Sequence, residues 1–335
     1  MRSWRIVVVC LALGACGSPA RPAGAGSDSG VASASPSGQS PAPTTLAPAG
    51  GKLALLRFAV VGDTRPYTQD DNANYPVQTI TTIYRDIAAL SPQPAFVITT
   101  GDYQYATPGS GNSKVQVGDY VSAMTLFPGP VFAAMGNHEC NGWTSSNCAD
   151  NPPTTNLAEF ESQILGRIGQ TNPYYAIPIQ AADGSWTAKI VVIAANDWDQ
   201  AQATWLSQAM AQPTDYTFVV RHEPSSYTTA PGVSPSDAIL AKQPYTLLLT
   251  GHKHSYIHPA TDSYEASNCQ CDFRELIVGN GGVPPKSGDI GAMDYGFALI
   301  DRQSDGTLSV QQYNYQSNAP EGDAFRITPD GKQAQ

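Results

Sequence analysis

Leu55-Leu56-Arg57-Phe58-Ala59-Val60-Val61 runs straight into Gly62-Asp63-Thr64-Arg65, and this junction of an apolar run with a Gly-Asp loop decides how the chain is read. An apolar run of this length closed by glycine is the pattern of a buried strand. Four further stretches repeat the design. Ala95–Thr100 ends on Gly101-Asp102-Tyr103-Gln104-Tyr105, and Val131–Met135 ends on Gly136-Asn137-His138-Glu139. Tyr216–Val220 ends on Arg221-His222, and Tyr245–Thr250 on Gly251-His252-Lys253-His254. Four of the five histidines lie in the last three of these blocks. Asp, Tyr, Asn and His are the side chains that hold two hard or borderline metal ions side by side. At the carboxyl ends of parallel strands they converge on one crevice.

Between the strand-like runs lie helical patterns at Pro76–Leu90, Val115–Leu126, Leu157–Ile168 and Ala201–Ala211. Ile80, Ile83, Tyr84 and Ile87 recur at helical spacing, and Pro76 suits a first turn. Strand, loop, helix and strand again is the rhythm of an α/β protein. Asp119 sits in a second Gly-Asp pair, but inside a helical pattern, so it reads as surface. Cys140–Asp183 breaks the rhythm with Asn, Thr, Ser and paired prolines, and reads as an insertion over the mouth of the site. After His254 the pattern turns to short strands, Phe273–Val278, Gly296–Ile300 and Leu308–Tyr315. A second, mixed sheet stacked on the first, with helices outside, is the expected architecture.

The ends have their own logic. Arg2 and Arg5 precede a short apolar run, Ile6–Leu13, too short to span a membrane and suited to a signal peptide over residues 1–15. Leu13-Gly14-Ala15-Cys16 resembles the bacterial lipoprotein cleavage box, which implies a mature chain beginning at a lipidated Cys16 and held to a membrane of the cell envelope, outside the cytoplasm. Residues 16–51, almost all Gly, Ala, Ser, Pro and Thr, lack the apolar side chains that offset ordering entropy and read as a flexible tether. Residues 52–328 are then one domain, and 329–335 a frayed tail.

The net charge is −10, and −12 once the two signal-peptide arginines are removed, with no basic run to grip a nucleic acid duplex. Cys140, Cys148, Cys269 and Cys271 remain in the mature domain, an even number in an exported chain. Three pairings are open to them, of which Cys140–Cys148 with Cys269–Cys271 is favoured; the spacings do not match a zinc finger.

The block order resembles the calcineurin-like metallophosphoesterase superfamily, and within it the purple acid phosphatase branch, over most of Lys52–Tyr315. The resemblance implies a four-layer α-β-β-α sandwich of two mixed sheets with two metals at the sheet edge. It implies Asp63 as a ligand of the first metal, Asp102 as the bridge, and Asn137, His222 and His252 as ligands of the second, with His254 returning to the first. Tyr105 selects the branch. The wider superfamily completes the first shell with a histidine at the position of Arg65, and a guanidinium, always protonated, cannot ligate. A tyrosinate at Tyr105 implies Fe(III), and the amide and two imidazoles imply Zn(II), Mn(II) or Fe(II) beside it.

His138 is implied as the catalytic histidine that binds phosphate and helps protonate the leaving group, with Glu139 orienting it or a ligand. Arg65 stands where the branch usually has glycine. It either offers phosphate a planar fork of donors or is a salt-bridged arginine. Many plant enzymes of the branch carry further histidines soon after the position of His222, but none lies between His222 and His252 here, which leaves leaving-group protonation open. His258 belongs to no block and reads as structural. The implied function is hydrolysis of small phosphate monoesters by metal-hydroxide attack, acid phosphatase-like, with a phosphodiesterase or nucleotidase as the alternative. A lipoprotein that binds metal or phosphate without turnover is the rival from another class.

Overall fold

The computed structural model describes residues 46–150, 154–258, 273–284 and 295–334. The signal peptide, Cys16, the tether up to residue 45, Cys269 and Cys271 lie outside the described residues. No helix among the described residues is long and apolar enough to cross a membrane.

Two mixed sheets carry the chain. The first has six strands: β2 (Arg57–Val61), β3 (Phe96–Thr99) and β4 (Val131–Ala133) run parallel, and β11 (Gly296–Arg302), β12 (Leu308–Asn314) and β13 (Ala319–Ile327) extend it antiparallel, in the order β13-β12-β11-β2-β3-β4. The second has seven, β1 (Gly51–Leu53), β5 (Tyr175–Ala181), β6 (Thr187–Val192), β7 (Tyr216–Val220), β8 (Leu247–Thr250), β9 (Tyr256–Ile257) and β10 (Glu275–Val278). Their order is β1-β5-β6-β7-β8-β10-β9, with β6, β7, β8 and β10 parallel.

Strand periodicity decides which side chains meet. Phe218 and Val220 share one face of β7, and Val219 takes the other. Phe218 lies edge-on to Phe58 of β2, 4.8 Å between ring centroids, and Phe58 stacks on Phe96 at 4.8 Å, so these rings fill the space between the sheets. Val219, Val191 and Leu248 instead pack with Leu206 and Met210 of α5 (Gln200–Ala211) and Leu240 of α6 (Val233–Leu240). On the six-stranded side, α1 (Val77–Ala89) buries Ile80, Ile83, Tyr84 and Ile87. It packs on α2 (Asn112–Met124), where the Tyr84 and Tyr120 hydroxyls pair at 2.6 Å. The layers are α-β-β-α.

Several boundaries differ from the sequence expectation. The short helix α3 (Asn137–Cys140) leads into the Cys140–Asp183 insertion, which holds the expected helix as α4 (Thr155–Gln163), begun and ended earlier, and the unexpected strand β5. β5 buries Tyr175, Ile177, Ile179 and Ala181 at period two, and the alternation was masked by the exposed Pro178 and Gln180. Helix α6 was hidden by its Val-Ser-Pro-Ser start. The tether ends sooner than residue 51, since Leu46 is buried and Gly51 to Leu53 pair with β5. The tail is also held. Thr246 donates its hydroxyl to Pro329 O at 2.7 Å, and Ala334 N donates to Arg326 O at 3.0 Å, giving the backbone partners that a free end lacks.

His258 is structural, as its isolation in the sequence suggested. Its ring stacks on Phe325 with centroids 3.5 Å apart, and Nε2 donates to Phe273 O at 3.1 Å. Burial pushes its imidazole down to about 4 from an ordinary 6.5. Between those values the unfolded chain binds a proton that the folded one refuses, so stability falls as pH drops from 6.5 towards 4. The contribution is on the order of 3 kcal/mol. His258→Gln is expected to flatten this part of the pH–stability curve, measured by denaturant melts at pH 4.5 to 7. An unchanged curve would refute it.

Candidate metal centre

The five loops meet at the carboxyl ends of β2, β3, β4, β7 and β8. Backbone bonds lace them together: Asp63 N donates to Gly101 O at 3.1 Å, Arg65 N to Asp102 O at 3.0 Å, and Gly251 N to His222 O at 2.8 Å. Asp63, Asp102, His252 and His254 all take left-handed backbone, with φ of 56°, 61°, 71° and 51°. Each such residue costs about 1 kcal/mol or more, strain that persists where the surroundings enforce it and that clusters at functional sites. In the last block the two histidines themselves take the bend, and Gly251 does not. Glycine is needed there for room, because a Cβ on Gly251 would stand 2.5 Å from Asp63 Oδ2. A Cβ on Gly136 would stand 2.3 Å from Asp102 Oδ1.

The polar atoms face one another without enough protons to satisfy them. His222 Nδ1 lies 2.8 Å from Thr100 O. A carbonyl only accepts, so Nδ1 carries a proton, and Nε2 is the nitrogen turned to the centre. Nε2 faces Asp102 Oδ1 at 3.3 Å and His252 Nδ1 at 3.2 Å. Asn137 donates Nδ2 to Gly142 O at 2.7 Å, which turns its acceptor Oδ1 to His252 Nδ1 at 3.1 Å. On the other side, Asp63, Asp102 and His254 bring one donor atom each within 4.8 Å of one another, and Asp63 Oδ1 has no hydrogen-bond partner.

The electrostatics carry the same message. Burial pushes the Asp63 carboxyl up to about 7. Burial would also raise Asp102, but His222, His138 and Arg65 hold it well below the usual carboxylate range. Burial would lower His222, yet Asp102 lifts it well above 6.5, while burial and His222 hold His252 well below it. Acceptors that compete for protons in this way converge on a place that a cation fits. The donor set, carboxylates and imidazoles with an amide, suits metal ions.

The other residues singled out in the sequence stand around this centre. Tyr105 lies edge-on to His138, 4.3 Å between centroids, with the Arg65 guanidinium 4.8 Å over its ring. Arg65 gives Nε to Asp102 Oδ2 at 3.2 Å and sets a terminal nitrogen 3.1 Å from His254 Nε2. The salt-bridged reading of Arg65 therefore describes its first engagement, although it also lines the cavity. Burial pushes His138 down to about 3 against the pull of Asp102, so it is neutral near pH 7. Glu139 orients backbone rather than a histidine: its carboxylate accepts from Gly136 N at 2.7 Å and from Asp102 N and Tyr103 N at 2.9 Å.

A cavity of about 530 Å³ opens over these groups, lined by Arg65, Tyr67, Tyr105, His138, Thr144 and His252 among others. Its Gly142–Thr144 wall is pinned by the Cys140–Cys148 disulfide and by Asn196, whose Nδ2 donates to Thr144 O and Ser146 O at 2.8 Å. Sequence reasoning overlooked Glu223, which is buried beside His222 and His252. Its position directly after His222 at the end of an apolar run was the available signal.

A family model for calcineurin-like phosphoesterases matches residues 56–256, a span that includes every residue of this centre. The chain belongs to that family. Among solved structures, the phosphoesterase fold here is similar to that of purple acid phosphatase PPD1 from yellow lupin (Lupinus luteus) seeds. Identity is 14% and the TM-score 0.56, over 84% of this chain and 57% of the lupin chain. This chain thus spans little more than half of the lupin protein's length. It is also similar to GAP50, the anchor in the inner membrane complex of Plasmodium, at 15% identity and a TM-score of 0.52, over 84% and 90% of the two chains. At such identities the likeness concerns the fold alone. No curated protein sequence matches the chain.

Proposed function

We propose that this phosphoesterase is an acid phosphatase-like enzyme of the purple branch, hydrolysing small phosphate monoesters outside the cytoplasm with two metal ions. The observation that carries the reading is the convergence of metal-competent side chains from five strand ends at one cavity large enough for a small ester, with Asp63 Oδ1 buried there without a hydrogen-bond partner. Asp63, Tyr105 and His254 hold the first ion, Fe(III), and Asn137, His222 and His252 the second, Zn(II), Mn(II) or Fe(II). Asp102 serves both, because its Oδ1 faces His222 and its Oδ2 faces the side of Arg65 and His254. When bound, the ions supply Lewis acidity toward phosphoryl oxygens and a lowered pKa for water.

The chain's own groups do the rest. Neutral His138 sets a ring N–H against the ester's leaving oxygen. Arg65, steadied by Asp102, turns its remaining N–H bonds to the phosphoryl oxygens. The Gly142–Thr144 wall and Tyr67 bound the space left for the alcohol or phenol that departs.

Two tests address this reading. A purple tyrosinate-to-iron(III) absorption band is expected in protein purified in air and is expected to vanish in Tyr105→Phe. A colourless, metal-loaded protein would remove Fe(III) and the branch from the proposal while leaving the family. Rates on aryl monoesters against diesters then separate a monoesterase from a phosphodiesterase. The tether is part of the proposal: Cys16→Ser is expected to lose the lipid mass and membrane association, and an unchanged mass and location would remove it.

One observation favours a second reading. The Arg65 guanidinium already bonds Asp102 Oδ2 and His254 Nε2, atoms of the first site, as a cation would. A binding protein without turnover fits that arrangement, and a phosphate ester assay on the metal-loaded protein decides between the two.

A further inference from the structure

Glu223 follows His222 directly, is fully buried, and has no hydrogen-bond partner at either carboxylate oxygen. The neighbouring Arg221 guanidinium is spent on other groups. Arg221 Nε donates to the Glu223 backbone carbonyl at 2.8 Å, and the two terminal nitrogens of its guanidinium are taken by Val233 O, Ser236, Asp237 and Ser225. A carboxylate stripped of water and left without a partner is among the costliest groups a fold can bury. One of its oxygens and a ring nitrogen from each of His222 and His252 lie within 4.8 Å of one another, so the missing partner is a cation shared with those histidines.

We propose that Glu223 is a ligand of the second metal ion, beside His222, His252 and Asn137. The proposal rests on the two-metal reading above and refines it. A shell of imidazoles and a neutral amide suits Zn(II) well. An added anionic oxygen raises the coordination number and hardness of the site, which favours Mn(II) or Fe(II) relative to a nitrogen-dominated shell. Glu223 therefore sets which divalent ion the centre keeps.

The test is metal binding rather than turnover. Metal-stripped wild type, Glu223→Gln and His252→Ala are titrated with Mn(II), followed by electron paramagnetic resonance, and with Zn(II), followed by calorimetry. Glu223→Gln keeps the shape of the side chain and removes its charge. It is expected to weaken Mn(II) by about tenfold or more, and Zn(II) by less. Metal-free Glu223→Gln is expected to melt no lower than wild type, because it removes an unpartnered buried charge. Wild-type Mn(II) affinity in Glu223→Gln, while His252→Ala has lost it, would overturn the proposal and leave the two-metal reading standing. Wild-type affinity in both variants would overturn the second metal site and this proposal with it. Weaker binding accompanied by a lower metal-free melt would assign Glu223 a structural role, which also overturns it.

Discussion

Asp102→Asn is expected to lower phosphate ester turnover by about a thousandfold or more while leaving the protein folded. Asparagine is the informative replacement because Asp102 sits at φ 61°, a backbone conformation that asparagine tolerates and alanine does not. Its amide oxygen can still accept from His138 N, which donates to Asp102 Oδ1 at 3.2 Å. What it loses is the charge that Asp102 presents to His222 on one side and Arg65 on the other. In the proposed two-metal centre Asp102 serves both ions, so its loss would act on two shells together. The measurement is kcat/KM on an aryl phosphate, with metal content and circular dichroism on the same preparation. Near wild-type turnover in Asp102→Asn would end the two-metal mechanism.

Glu139→Ala is expected to cost about 4 kcal/mol or more of stability, seen as a fall of roughly 10 °C in melting temperature. The reason lies in three backbone N–H groups, those of Gly136, Asp102 and Tyr103, which all donate to one fully buried carboxylate. Each orphaned buried donor costs about 1–3 kcal/mol, and alanine at position 139 leaves all three without an acceptor. Because Asp102 is one of the donors, metal binding is expected to weaken in the same variant. A variant that melts within about 1 °C of wild type would show that water replaces the carboxylate at no cost.

The strand-end blocks were legible because their chemistry is local. An apolar run, a glycine and a polar ligand within about ten residues say what the segment buries and what it offers at its end. Asp63, Asp102, Asn137, His222, His252 and His254 could be picked out for that reason, and the structure brings all six to one edge of the two sheets. Asp119 could be set aside on the same ground, and it does lie within α2. Where local patterns conflict, the sequence misled. β5 carries Pro178 on its exposed face, and α6 opens on Ser-Pro-Ser, yet packing against β6 and α5 overrides both weak propensities.

Roles that depend on a partner far along the chain were not legible. Nothing in Gly136-Asn137-His138-Glu139 says that Glu139 will hold the amides of Asp102 and Tyr103, some 37 positions earlier. Nothing near Arg65 says that its guanidinium will meet His254, 189 positions on. Glu223 stands directly after His222 in the sequence, but only folding buries it beside two histidines and leaves its carboxylate without a hydrogen-bond partner. The sequence by itself determined which segments are buried strands and which side chains stand at their ends, because hydrophobic periodicity and glycine act over a few residues. The tertiary structure alone decided which charges face one another, which are neutralised and which are left for a cation, because electrostatic pairing depends on distance in space.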